Sequence, residues 1–148
     1  MNIKELEKFL HKSNADFQII EHELPITTLE DGKKYFDITR AVPTLILRSG
    51  TKIFSCMVSS MHGKIDFASL KSEMKLPELK LMNREMVFKS TGCKVGAIPL
   101  VGLGFPCIVD KKILQFDYIF GGSGDPLFTL KISPKDLVMI NDVVYYFE

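Results

Sequence analysis

The sequence predicts an α+β fold: a mixed, strongly curved, barrel-like β-sheet surrounded by short helices. Three observations lead there. Short apolar runs rich in Val, Ile, Phe and Tyr recur along the chain at strand length. Helical patterns with their own start signals fall between them, without the regular strand–helix alternation of a parallel sheet. The 148 residues, 46% apolar and 25% charged, suit one core, so a single domain over residues 1–148 is expected.

Asn2 and Glu5 stand at capping-box spacing, each placed to satisfy an orphan amide at a helix start. Ile3, Leu6, Phe9 and Leu10 follow at helical spacing, so residues 3–12 read as an amphipathic helix. Residues 17–23 read as a strand. Thr27 and Glu30 form a second capping pattern, shortened by Gly32 close behind. Pro43 precedes the strand-like run 44–47, and Gly50 turns the chain into 52–59 as a hairpin. Asp66 caps a helix carrying Phe67, Leu70 and Met74, and residues 79–82 form a short strand. Asn83 caps another helix, which Gly92 ends in the left-handed conformation. Residues 106–109, 118–120 and 128–132 read as strands. Ser133-Pro134-Lys135-Asp136 is a helix start, with a Ser cap, Pro at the first helical position and an acid near the positive helix end. Residues 143–147 form the last strand.

Several function classes are not supported. No apolar run approaches the roughly 18 residues of a membrane-spanning helix, and the first residues show no signal-peptide core. Cys56, Cys93 and Cys107 are odd in number and form no CxxC, which argues against a disulfide framework or a zinc site and for the cytoplasm. No membrane association, metal or cofactor is expected. There is no nucleophile elbow, Walker loop or dinucleotide fingerprint. His11, His22 and His62 stand at no diagnostic spacing and read as surface or structural residues. Charge is uneven: residues 1–31 sum to −4, residues 32–94 to +7 and the remainder to −2. The positive middle is either a docking face for a polyanion or an ordinary solvated surface.

Two glycine-rich segments hold most of the functional signal. Residues 96–106, with Gly96, Gly102, Gly104, Pro99 and Pro106 among apolar side chains, form a loop that packs down rather than a solvated linker. Gly121, Gly122, Ser123 and Gly124 lead into Asp125-Pro126 directly after a strand. Backbone N–H groups bared there can hold a carbonyl, carboxylate or phosphate oxygen; tight β-connections without a ligand are the alternative. On the ligand reading, Gly96→Val or Gly122→Val harms binding more than folding.

These segments resemble the YbaK/prolyl-tRNA editing domain family. Ser90-Thr91-Gly92 with Val95-Gly96-Ala97-Ile98-Pro99 is similar to its central signature. Glu21-His22-Glu23 resembles its first strand, Thr44-Leu45-Ile46-Leu47 its K-T-L-V-L strand, and Ile65-Asp66-Phe67 with Leu70 a helix start. Gly121 to Gly124 followed by Leu130-Lys131-Ile132-Ser133-Pro134 and Asp136-Leu137 resembles its closing loop, strand and helix. The five matches occur in family order over residues 17–140.

The resemblance implies a barrel-like sheet and aminoacyl-tRNA deacylase activity in trans, with esters of tRNA(Pro) type as substrate. Partners would be the aminoacylated tRNA 3′ end and an aminoacyl-tRNA synthetase. It implies a substrate pocket built on Gly96, Ala97, Ile98, Pro99, Gly121, Gly122 and Ser123. The family's lysine position is Pro43 here, which has neither charge nor N–H. Arg40 or Lys34 is the substitute to look for, and Ser123 and Thr129 are further polar candidates, Thr129 at a position that is acidic in some members. A non-catalytic module binding an aminoacyl group, nucleotide or tRNA end is the alternative that Pro43 favours. A protein-interaction role for residues 97–105 is a third.

Overall fold

The computed structural model describes all 148 residues. Its elements are α1 (Ile3–Lys12), β1 (Phe17–Glu21), α2 (Leu29–Gly32), β2 (Ala41–Val42), β3 (Thr44–Ser49), β4 (Lys52–Met57), α3 (Phe67–Glu73), β5 (Lys80–Leu81), α4 (Arg84–Thr91), β6 (Cys107–Asp110), β7 (Ile119–Gly122), β8 (Phe128–Ile132), α5 (Pro134–Ile140) and β9 (Val143–Phe147). Two 3-10 turns, Ile38–Arg40 and Lys111–Gln115, precede β2 and follow β6.

The local signals act as capping chemistry requires. The Asn2, Asp66, Asn83 and Ser133 side chains each accept an amide proton at the start of the following helix. Gly92 closes α4 at φ 72°. The second capping box lies one residue beyond its expected place, because Asp31 reaches back to the Thr28 amide while Thr28 accepts from Asp31.

The α+β class holds, but the strands form two open sheets rather than one closing barrel. The first has the order β1-β8-β7-β2 and the second β5-β3-β4-β6-β9. Within the first, β1 and β7 flank β8 in antiparallel register, with Ile20 and Gly122 both opposite Thr129, and β2 adds parallel to β7. The second mixes an antiparallel β3–β4 hairpin with parallel β4–β6 and β6–β9 pairs. The largest core cluster takes Leu130, Ile132 and Ile119 from one sheet and Met57 and Val109 from the other. Leu6 and Leu10 of α1 and Leu137 of α5 complete it. Phe54, Leu47 and Ile108 form a second cluster with Leu70 of α3, and Ile46, Met82, Val87 and Ile98 a third at α4. No helix is long and apolar enough to cross a membrane.

The cysteines divide by depth. Burial, with the Asp110 and Cys107 charges behind it, pushes the Cys56 thiol up to about 12. Burial likewise raises Cys107, whose Sγ lies 2.8 Å from the Ser55 hydroxyl. Only Cys93 is half-exposed. Ellman's reagent is therefore expected to titrate one thiol quickly in the native protein at pH 8 and all three after unfolding. Two fast native equivalents would contradict this placement.

Candidate functional site

The outer face of the four-stranded sheet is set by strand alternation. Leu130 and Ile132 point into the core, so Thr129 and Lys131 face the other way, beside Gly122 and Phe120 on β7 and Ile20 on β1. The chain from 23 to 40 folds back over this face, held by the Thr28–Asp31 box and by Phe36 stacking on Phe120 at 4.8 Å. Between them lies a cavity of about 120 Å³.

Its floor is Phe120 to Gly122 with Thr129, and Ala41, Val42 and Pro43 form one wall. Ile26 to Leu29 and Phe36 form the roof, and Gly96 and Ala97 close one side. The two glycine segments therefore meet. Residues 97–100 run beside the end of β7: Leu100 N–H donates to Gly122 O at 3.0 Å and Gly124 N–H to Ala97 O at 2.9 Å. Neither the Gly96 nor the Ile98 N–H is used in the bonds that hold this loop. Gly96, which lines the cavity, therefore has an N–H without a protein acceptor.

The glycines are required by the packing of the protein's own chain. A Cβ on Gly122 would overlap the Ile98 carbonyl, one on Gly96 the Thr27 carbonyl, and one on Gly121 the Leu100 side chain. Gly96 also sits at φ 97°, where L side chains are strained. Glycine here lets the protein's own backbones close on each other, so the valine substitutions are expected to act through folding.

The remaining named residues separate. Pro43 and Thr129 line the cavity. Ile98 and Pro99 lie behind Ala97, Ile98 buried in the cluster with Ile46. Ser123 is buried outside the cavity, its hydroxyl 2.7 Å from Phe128 O and 3.0 Å from Asp125 O while accepting from Asp125 N–H. That is a turn-fixing role. Arg40 does not line the cavity: its Nη1 donates to Asp117 at 2.6 Å and to Tyr118 O at 3.2 Å, and its guanidinium lies 4.3 Å from the Tyr118 ring centre. The Arg40 hydrogen bond holds the Asp117 carboxyl below the usual carboxylate range. Lys34 does not line the cavity either, and Asp125 is the one ionisable residue that does. No cation replaces the lysine at the wall.

Sequence reasoning passed over His22. It is 6% exposed, directly behind Thr129, with Nε2 at 3.1 Å from Thr129 Oγ1 and Nδ1 at 2.9 Å from Leu24 O. Tyr35 lies against its ring at 4.8 Å and accepts the Leu24 N–H. The available signal was alternation: His22 is two residues beyond Ile20, hence on its face and diagonal to Thr129.

An open two-sheet α+β fold whose two glycine loops converge on one small cavity, with Asp125 its single ionisable lining residue, defines the class of the domain. Residues 23–140 match the aminoacyl-tRNA editing domain family, and the chain belongs to that family. It is 29% identical over 108 residues to a proline–tRNA ligase of Caldicellulosiruptor saccharolyticus, covering 72% of this chain but 19% of the ligase. The chain thus spans about a fifth of that relative's length. Among solved structures it resembles the hypothetical protein APE2540, with a TM-score of 0.86, 20% identity and 96% and 97% of the two chains covered. A protein provisionally described as a trans-editing enzyme for prolyl tRNA synthetase superposes with a TM-score of 0.81 at 18% identity, covering 96% and 92%.

Proposed function

We propose that the chain is a trans-acting aminoacyl-tRNA deacylase that hydrolyses the ester of a mischarged tRNA, of tRNA(Pro) type. In this reading residues 1–148 act as one domain in the cytoplasm on tRNA released by its synthetase. The observation that carries it is the meeting of Gly96-Ala97 with Gly121-Gly122 at one cavity in an editing-family chain.

The chemistry is modest in its demands. An aminoacyl ester is already activated, so a site that fixes the carbonyl, places a water and stabilises developing negative charge suffices. The Gly96 N–H is an uncommitted donor for that charge. The small cavity, about 120 Å³, suits a small aminoacyl group. Hydrolysis of a panel of mischarged tRNAs is the test, and no release above the protein-free control overturns catalysis.

Lys34 and Lys94 are exposed, make no ion pair, and lie two residues from the lining residues Phe36 and Gly96. They are the cations expected to meet acceptor-stem phosphates. Lys34→Glu with Lys94→Glu should raise KM for tRNA about tenfold at low salt, leave kcat within about twofold, and flatten the salt dependence. An unchanged KM at low salt would remove this surface from the account.

Pro43 favours a second reading, a binding module that recognises the aminoacyl end without turnover, because the wall it forms holds no cation. Saturable binding of a non-hydrolysable aminoacyl-adenosine analogue by a protein inactive on the whole panel selects it.

A further inference from the structure

The hydrogen bonds around His22 can be counted to an end. Leu24 O accepts only, so the ring nitrogen 2.9 Å away, Nδ1, carries a proton. In the neutral ring Nε2 then has a lone pair and no hydrogen. The group facing it at 3.1 Å is the Thr129 hydroxyl, which has no other protein partner. Thr129 therefore donates to His22 and keeps an oxygen lone pair without a protein donor, at a residue that lines the cavity.

Both side chains are more than nine-tenths buried, Thr129 at 4% and His22 at 6% exposed. The ring is fixed from three sides: by Leu24 O, by Tyr35, and by the main-chain bond from His22 N–H to Leu127 O at 3.0 Å. A hydroxyl, a base within hydrogen-bond reach and a third group orienting the base form the arrangement that activates oxygen for attack on an ester.

We infer that Thr129 and His22 form the proton relay of the site, Thr129 touching the attacking water and His22 acting through it. This rests on the deacylase reading. Water held against Thr129 Oγ1 attacks the ester carbonyl carbon with its own electron pair. Its proton passes to Thr129 Oγ1 as the threonine proton passes to His22 Nε2, and the carbonyl π pair moves onto oxygen beside the Gly96 N–H. When that pair returns, the bond from carbon to the ribose oxygen breaks. The ribose oxygen takes a proton from Thr129, and His22 returns its own to Thr129. One water and one ester become one acid and one alcohol, with both side chains restored. The relay supplies proton transfer without a cation at the Pro43 position.

The test uses the full chain and whichever mischarged tRNA of the panel it hydrolyses. Thr129→Val keeps the shape and removes the hydroxyl, and is expected to lower kcat about 100-fold with KM within about threefold. Thr129→Ser restores the hydroxyl and should retain most of the rate. His22→Gln should fall as far as Thr129→Val, and the double variant little further, because groups acting as a unit are not additive. Nitrogen-15 NMR of the unliganded protein should show the His22 ring protonated at Nδ1 and bare at Nε2. A Thr129→Val rate within threefold of wild type, or a neutral ring protonated at Nε2, overturns the relay and leaves the deacylase reading standing. A wild-type protein inactive on the whole panel overturns the deacylase reading, and the relay falls with it.

Discussion

Replacing Gly122 with alanine is expected to destabilise the protein by about 3 kcal/mol or more, at the upper end of overpacking costs. The added methyl overlaps the Ile98 carbonyl, a backbone atom that no rotamer change can move aside. Relief requires separating residues 97–100 from the end of β7, which breaks the Leu100-to-Gly122 and Gly124-to-Ala97 bonds. The same separation opens the cavity, so activity and stability should fall together. Urea unfolding measures it: an unfolding free energy within about 0.5 kcal/mol of wild type with ligand binding lost would show that the glycine serves a ligand rather than the fold.

Asp110→Asn is expected to cost about 2–4 kcal/mol. The Asp110 carboxylate is 0% exposed, one oxygen accepting from Ser59 N–H at 3.0 Å and the other from Lys112 N–H at 3.0 Å. An amide can accept at only one of these places and turns a donor toward the other N–H. The effect reaches the site, because the strand exit held by Asp110 continues to Ser60, whose N–H donates to Ala41 O on the cavity wall. Alanine at 110 should cost at least as much, and a change below about 0.5 kcal/mol for either variant would contradict this placement.

What could be read from the sequence was what is decided within a few residues. The α1, β8 and β9 boundaries are as expected because caps, turn residues and alternation act locally. The second capping box shifted because Asp31 serves both the Thr27 and Thr28 amides, and a spacing pattern does not say which one begins the helix. Division into two sheets was not visible: it depends on β1 pairing with β8 and on a two-residue β2 running parallel to β7. The glycine segments were legible as places of close approach, but not that protein backbone makes the approach. Arg40 looked free in sequence, while its partner Asp117 is 77 residues away. His22 looked isolated because its hydrogen-bond partner, the Thr129 hydroxyl, lies on another strand.

The pairing of β1 with β8 also governs when the fold can first close. His22 and Thr129 are separated by 107 residues, so on a translating ribosome the early strand waits roughly 5–20 seconds for its mate. During that interval an apolar ribbon hangs open to stray neighbours, and distant pairing of this kind is slow to nucleate. Nascent-chain protection of residues 17–21 should accordingly appear late and abruptly, after 132 has cleared the exit tunnel.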